Sequence, residues 1–326
     1  MNLPHFTYHA PVTLEECTGL LADLGNKAQV LAGGTDLLVR MKLRLTRPDH
    51  LVSLSKIAEL KRIIYDPGIG LTIGSGVTLS LLASDSIIKE KSPALANTAE
   101  LVATKQIRNT ATLGGNVFQN TRCRYYNRSP DWGKAVAPCF KRHGTLCHVV
   151  PKGKRCFAVY QGDLAPLLIA LKAIAIIASN KNTEEIPVES LFSGDGRIPI
   201  RDFKGKVIKD FVIPDRYLSI NAAYRKYRLR NGIDFPLAGV AVAVENKNDL
   251  IGNLRICLTG IASSPVLVPG TEEMARGKPL GKELAREAGK MAQAAAHPLA
   301  NLEDEPARRR FMIRILTEDT LASIVS

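Results

Sequence analysis

Four of the six cysteines fall within one short stretch, spaced Cys123-x15-Cys139-x7-Cys147-x8-Cys156. No other feature constrains the chain as tightly, because four thiols on one loop-rich excursion either close on a common object or are unrelated. Structural zinc sites generally use close C-x2-4-C pairs, and none occurs here. Separated thiolates can instead wrap a larger object such as a 4Fe-4S cube. Spacing alone leaves the cluster, zinc and four unrelated thiols open. His143 and His148 lie nearby and read first as polar loop residues, second as zinc ligands. A disulfide framework is disfavoured, since MNLPHFTYHAP at the N-terminus shows no secretion signal. Cys17, on a helix, and Cys257, in an apolar strand, read as small buried residues.

Charge concentrates in the same stretch. The chain carries a formal net charge of +13, and residues 122–156 hold nine Lys or Arg against one acid, Asp131. Such a patch is a solvated basic surface, or it meets nucleic acid, a membrane or an acidic partner. The most apolar run, Leu164 to Ser179, is broken by Pro166 and Lys172 and is shorter than the roughly 20 residues a spanning helix needs. The expectation is a soluble, cytoplasmic protein.

Around the excursion the pattern is α/β. Thr13-Leu-Glu-Glu16 reads as a capping box opening a helix through about Asp23. Apolar runs at Gln29–Ala32 and Leu51–Leu54 read as strands, giving a first unit over residues 1–55. A second unit, 56–215, has strands near 62–65 and 71–74, helices near 78–90 and 93–103, a helix over 163–173 and a buried strand at 174–178. The excursion interrupts it at about 120–160. Residues 181–216 read as polar and irregular, punctuated by Pro187, Pro199 and Pro214. The last unit, 216–326, has strands near 224–230, 237–244 and 254–258, then helices near 282–295 and 306–317.

Two glycine loops carry binding chemistry. Gly33-Gly34-Thr35-Asp36 follows a strand and precedes a helix, so successive N–H groups can point at one anion. Thr112-Leu-Gly-Gly-Asn116 repeats that chemistry in the second unit, and a diphosphate could lie across the crevice between them. Neither loop fits the dinucleotide or P-loop fingerprint.

AGGTDLL (32–38), QIRNTATLGGN (106–116) and GDLAPLLIALKA (162–173) resemble the FAD-binding fold of molybdopterin dehydrogenases, to which xanthine and carbon monoxide dehydrogenase medium subunits belong. YRKYRLRNGIDFPLAGVAVAV (224–244) is similar to that family's C-terminal flavoprotein domain. The resemblance implies an α+β chain: a two-subdomain, PCMH-like FAD-binding fold followed by an α/β flavoprotein domain. It implies FAD held by Leu31, Ala32, Gly33, Gly34, Thr35, Asp36 and Leu37, joined by Thr112, Gly114, Gly115 and Asn116. Asp163 and Lys226 match positions that contact the flavin or ribityl end in relatives, although Asp163 also reads as a helix N-cap. TRCRYYNRSPDW (121–132) and KGKRCFAVYQGDLAP (152–166) resemble the β subunit family of 4-hydroxybenzoyl-CoA reductase. That resemblance implies a 4Fe-4S cluster on Cys123, Cys139, Cys147 and Cys156, with ferredoxin as electron donor. It further implies a small subunit with 2Fe-2S clusters and a large subunit with the molybdenum cofactor, assembled as a heterohexamer.

An anionic cube would account for the surrounding cations, and the same patch would steer an acidic donor. No residue of this chain reads as catalytic. The nearest alternative is a medium FAD subunit of a xanthine, aldehyde or CO dehydrogenase-type hydroxylase running in the oxidative direction. A zinc-stapled basic nucleic-acid-binding protein explains the charge and cysteines but neither glycine loop, so the reading includes no nucleic acid and no membrane.

Overall fold

The computed structural model describes residues 2–180, 182–201 and 203–325. Its first sheet joins β1 (Thr7–His9), β2 (Ala28–Leu31) and β3 (His50–Ser53), all parallel, with β3 in the middle. Parallel neighbours need long crossovers, and the helix Leu14–Leu24 supplies the first. Thr13 caps it, its Oγ1 accepting from the Glu16 N–H at 3.1 Å. The return bond of the expected capping box lands one residue early, because the Val12 N–H donates to Glu16 Oε2 at 2.9 Å.

The second sheet contains β4 (Ile63–Asp66), β5 (Gly70–Gly74), β6 (Ile174–Ser179), β7 (Thr183–Pro187) and β8 (Lys206–Pro214), in the order β4-β5-β8-β6-β7. Its centre corrects the sequence reading of 181–216 as irregular. β8 pairs antiparallel with both neighbours, setting Phe211 beside Ile73 on one side and Ala175 on the other. The strand was hidden by its charges, which the fold pairs: Asp210 accepts from Arg62 at 2.8 Å, and Lys209 meets Glu59 at 3.5 Å. Lys181 and Asp202, within that interval, lie outside the described residues.

The expected long helix near 78–90 is two, Leu79–Ser84 and Ser86–Lys91. Asp85 adopts an extended conformation between them and caps the second, accepting from the N–H groups of Ile87 and Ile88 at 2.9 and 3.1 Å. The turn-rich stretch 106–116 is likewise broken, into Lys105–Arg108 and Leu113–Val117.

The third sheet joins β9 (Asn221–Tyr227), β10 (Ala238–Lys247), β11 (Leu250–Thr259) and β12 (Val266–Leu267), in the order β12-β11-β10-β9. Helices Lys282–Ala295 and Pro306–Val325 cover one face, packing on Val240, Val242 and Ile256. The other face presents Ala241, Ala243 and Cys257 to the core of the second unit. Both faces are covered, so Ala238–Val244 is buried throughout rather than alternating. The helix Leu164–Ala170 packs against β10 and β11 and shares a core with β5 and β8, and all seven of its residues are buried. Cys17 and Cys257 are wholly buried, as expected of small apolar fillers; burial pushes the Cys17 thiol up to about 11.

Candidate functional site: a glycine-lined cleft and a cage of four thiols

A cleft of about 520 Å³ opens where the first sheet meets β8. The loop Ala32–Leu37 forms one side, Thr112, Gly114 and Gly115 another, and Lys204 to Ile208 a third. Gly33 is required by close approach: a Cβ there would lie 1.8 Å from the Thr110 carbonyl oxygen. Gly34 is required by conformation, with φ at +74°. Among the described residues, the main-chain N–H groups of Gly33, Gly34, Thr35 and Asp36 meet no acceptor in the protein. Four consecutive donors left open at a cleft form a nest suited to an anion.

The second loop does not repeat this chemistry. The Leu113 and Gly114 N–H groups donate to Val77 and Ser75 carbonyls at 2.9 and 2.8 Å, and the Asn116 N–H to the Thr112 carbonyl at 2.9 Å. Thr112 Oγ1 caps the short helix by accepting from the Gly115 N–H at 3.0 Å. The Asn116 side chain accepts from the Leu164 N–H at 3.1 Å, fastening this loop to the buried helix. The main-chain N–H groups of Leu113, Gly114, Gly115 and Asn116 are therefore already used within the protein. Neither Leu31 nor Asn116 is part of the cleft lining.

Sequence reasoning missed Arg40, Lys204 and Lys206, which line the cleft, the Lys206 ammonium being paired with Glu184 at 3.1 Å. Arg40 was legible in principle, four residues beyond Asp36 on the following helix; their side chains stand 3.9 Å apart. The two lysines precede and begin β8, so they could not be placed while that strand went unseen.

Asp163 and Lys226 are brought together, away from the cleft lining. Their side chains pair at 2.9 Å and are 3% and 2% exposed. The Tyr224 hydroxyl donates to the same Asp163 Oδ1 at 3.0 Å. Burial and the nearby Asp163 carboxylate hold the Tyr224 phenol well above its usual range. Asp163 makes no N-cap bond to its helix; its carboxylate serves the third sheet instead.

The four spaced cysteines do converge: Cys123, Cys139, Cys147 and Cys156 line one partly open pocket with Tyr125, Tyr126, Phe140 and Lys141. One antiparallel bridge between Arg122 and Val159, N–H to carbonyl at 2.7 Å each way, closes the base of the excursion. Cys139 is positioned by a tight turn, since the Gly144 N–H donates to the Cys139 carbonyl at 2.9 Å and His143 takes a left-handed φ of 63°. Burial pushes the Cys123 thiol up to about 11, with the other three cysteines adding to the rise. Among the described residues, no three His, Cys, Asp or Glu side chains are gathered so as to hold a metal ion as they stand. His148 also borders the pocket, its Nε2 lying 2.8 Å from the Ala137 carbonyl oxygen.

The excursion's cations divide into two sets. Arg124, Arg128, Lys134, Lys152, Lys154 and Arg155 are exposed. Lys141 is buried, donating to Asn120 Oδ1 at 2.6 Å, to the Gly196 carbonyl at 2.5 Å and to Thr121 Oγ1. Burial presses its ammonium down to about 7, with Cys156 opposing. Arg142 is spent on the Tyr126 carbonyl at 3.0 Å, and Arg122 on Asp36 at 2.9 Å.

Comparison with known proteins places this geometry. Residues 4–216 match the FAD binding domain in molybdopterin dehydrogenase, and residues 222–324 match the CO dehydrogenase flavoprotein C-terminal domain. The carbon monoxide dehydrogenase medium chain of Hydrogenophaga pseudoflava is 28% identical over 303 residues, covering 93% of this chain and 91% of that one. The xanthine dehydrogenase FAD-binding subunit of Escherichia coli O157:H7 is 25% identical, covering 98% and 96%. Carbon monoxide dehydrogenase from Hydrogenophaga pseudoflava, solved without the Mo-pyranopterin moiety, superposes with a TM-score of 0.82 at 26% identity, covering 100% of this chain and 99% of that one. The expected fold is therefore the observed one: a mixed α/β FAD-binding fold with a C-terminal flavoprotein domain.

The buried pair has a measurable consequence. Lys226→Met leaves the Asp163 carboxylate buried without its cation, which should lower stability by about 3–5 kcal/mol. The double variant Asp163→Asn with Lys226→Met should recover most of that loss. Urea unfolding of both variants checks the pair; additive losses would show that the two residues act independently.

Proposed function

The chain belongs to the family of FAD-binding domains of molybdopterin dehydrogenases, and on that premise we propose that it is the FAD-carrying, electron-transferring medium subunit of a molybdenum-dependent oxidoreductase complex. The observation that carries this reading is the open nest at Gly33–Asp36 beside Arg40, Lys204 and Lys206. Four main-chain donors with cations around them suit a diphosphate, and the elongated cleft gives the rest of FAD room to lie along β8. When bound, FAD supplies exchange of one or two electrons. This chain's own residues contribute binding and exclusion of water. Among the described residues, no group lining the cleft is arranged as an acid or base for a substrate, and the reading assigns substrate chemistry to a large molybdenum-cofactor subunit, with 2Fe-2S clusters in a small one.

The thiol cage adds a second cofactor to the proposal. A single zinc ion draws its ligands to about 2.3 Å from one point, whereas a 4Fe-4S cube offers each thiolate a different iron at a different corner. Four thiols ringing a pocket fit the cube. Cys123 and Cys156, held up chiefly by burial, would deprotonate on binding iron, as coordinating thiols do. A zinc-stapled nucleic-acid-binding protein accounts for neither the nest nor the family match. Anaerobic purification should yield one FAD with about four irons and four sulfides per chain. Cys139→Ser should lose the iron and sulfide while retaining FAD; retained iron would refute the ligand assignment.

The direction of electron flow has two readings. The relatives named above are dehydrogenases, which supports the oxidative direction of a xanthine, aldehyde or CO dehydrogenase-type hydroxylase. The cage with its cationic surround supports the second reading, ferredoxin-linked reductive dehydroxylation of 4-hydroxybenzoyl-CoA or a similar aromatic thioester. Six exposed cations over a cluster would attract an acidic donor. Lys141, Arg142 and Arg122 are internal and play no part in such docking. Replacing Arg124, Arg128, Lys152 and Lys154 with Gln should slow reduction by ferredoxin at low salt and flatten its salt dependence. Unchanged stopped-flow rates would favour the oxidative reading.

A further inference from the structure

Asp36 stands in the open nest, yet both oxygens of its carboxylate are taken by the cysteine excursion. Oδ1 accepts from Arg122 Nη2 at 2.9 Å, and Oδ2 accepts from the Asn120 N–H at 3.2 Å. Each contact continues to the cage. Arg122 immediately precedes Cys123, and its main chain is bridged to Val159, three residues beyond Cys156. Asn120 Oδ1 accepts from Lys141, which lines the thiol pocket and also bonds the Gly196 carbonyl; the Gly196 N–H donates to the Cys156 carbonyl at 3.0 Å. Two hydrogen-bonded tethers thus leave one carboxylate and reach the cage, one beside Cys123 and the other at Lys141 and the Cys156 main chain.

From this geometry we infer that Asp36 is a positioning residue that couples the cleft to the cage, so that filling the cleft orders the cysteine excursion. An ionised carboxylate accepts hydrogen bonds and donates none, so it would repel a diphosphate rather than hold it. Pairing with Arg122, and Arg40 at 3.9 Å, neutralises that repulsion. The Asp36 main-chain N–H, by contrast, meets no acceptor among the described residues and belongs to a residue of the cleft lining. A diphosphate that fixes this N–H also fixes the carboxylate behind it, and through it Arg122 and Asn120. The coupling rests on the flavin and cluster assignments for its purpose, but the tethers are made by the chain itself and can be read without iron.

Hydrogen exchange followed by mass spectrometry tests it on the full chain, stripped of FAD and then reloaded, in the wild type, Asp36→Asn and Arg122→Gln. FAD should slow exchange across residues 119–127 about tenfold in the wild type, in keeping with one charge-assisted pair, and less than about twofold in either variant. Arg122→Gln, outside the cleft lining, should still bind FAD. Equal protection in wild type and variants would overturn the coupling. So would loss of FAD binding in Asp36→Asn with binding kept in Arg122→Gln, which would make Asp36 a cofactor ligand. Should Asp36→Asn not fold, Arg122→Gln carries the same comparison from the other end. A wild type that binds FAD but holds no iron or sulfide would remove the cluster assignment alone, since the exchange pattern still reads the tethers.

Discussion

The buried pair of Asp163 and Lys226 joins the parts of the molecule that must stay in register. Asp163 begins the helix that shares the second unit's core, and Lys226 lies on β9 of the third sheet. With both side chains almost wholly out of water, neither charge tolerates loss of the other. Tyr224 adds a second bond from the same strand. Main-chain bonds run alongside, from the Tyr160 N–H to the Ala262 carbonyl at 2.9 Å and from the Gly260 N–H to the Tyr160 carbonyl at 3.0 Å. Through Asn116, which accepts from the N–H that follows Asp163, the same junction holds the second glycine loop in place. The cleft therefore inherits its shape from a contact made outside it.

Charge is arranged by depth. At the surface of the excursion the cations stand in solvent, where they act at long range and yield to salt. Beneath them, Lys141 and Arg122 are desolvated and held by oxygen acceptors, so they act as structural ties between loops. The sequence shows all of these as one basic run, and only burial separates the two kinds. The sheet follows the same rule: β8 places Asp210 and Lys209 against Arg62 and Glu59, and charged residues then occupy a central strand without isolated charge.

Much of this was legible from the chain. The cysteine spacing pointed to a shared object, and the four thiols do share a pocket. Gly33 and Gly34 were read as an anion-binding loop; packing against the Thr110 carbonyl requires the first and a left-handed φ the second. Periodicity found β2 and β3 of the first sheet, the buried helix and β9 to β11 of the third sheet within a few residues, but not the short strands β1 and β12. What it missed was set by partners far away in the chain. β8 was masked by charges whose partners lie about 150 residues earlier, and prolines nearby made the segment read as loop. The likeness of the two glycine loops was misleading too. Whether an N–H is open depends on whether a carbonyl from another element reaches it, as Val77 and Ser75 do for the second loop. Asp36 was read as part of a cofactor loop because Arg122 and Asn120 lie more than 80 positions away.

The central claim is that the open nest of the first glycine loop holds the diphosphate of FAD while the second loop only walls the cleft. A crystal structure of the FAD-loaded chain tests it directly. The account requires diphosphate oxygens at about 2.7–3.2 Å from main-chain nitrogens of Gly33 to Asp36, with the Thr112 to Asn116 bonds unchanged. A diphosphate seated on the second loop, or one that breaks the Asp36 contacts to Arg122 and Asn120 to reach the first, would contradict it.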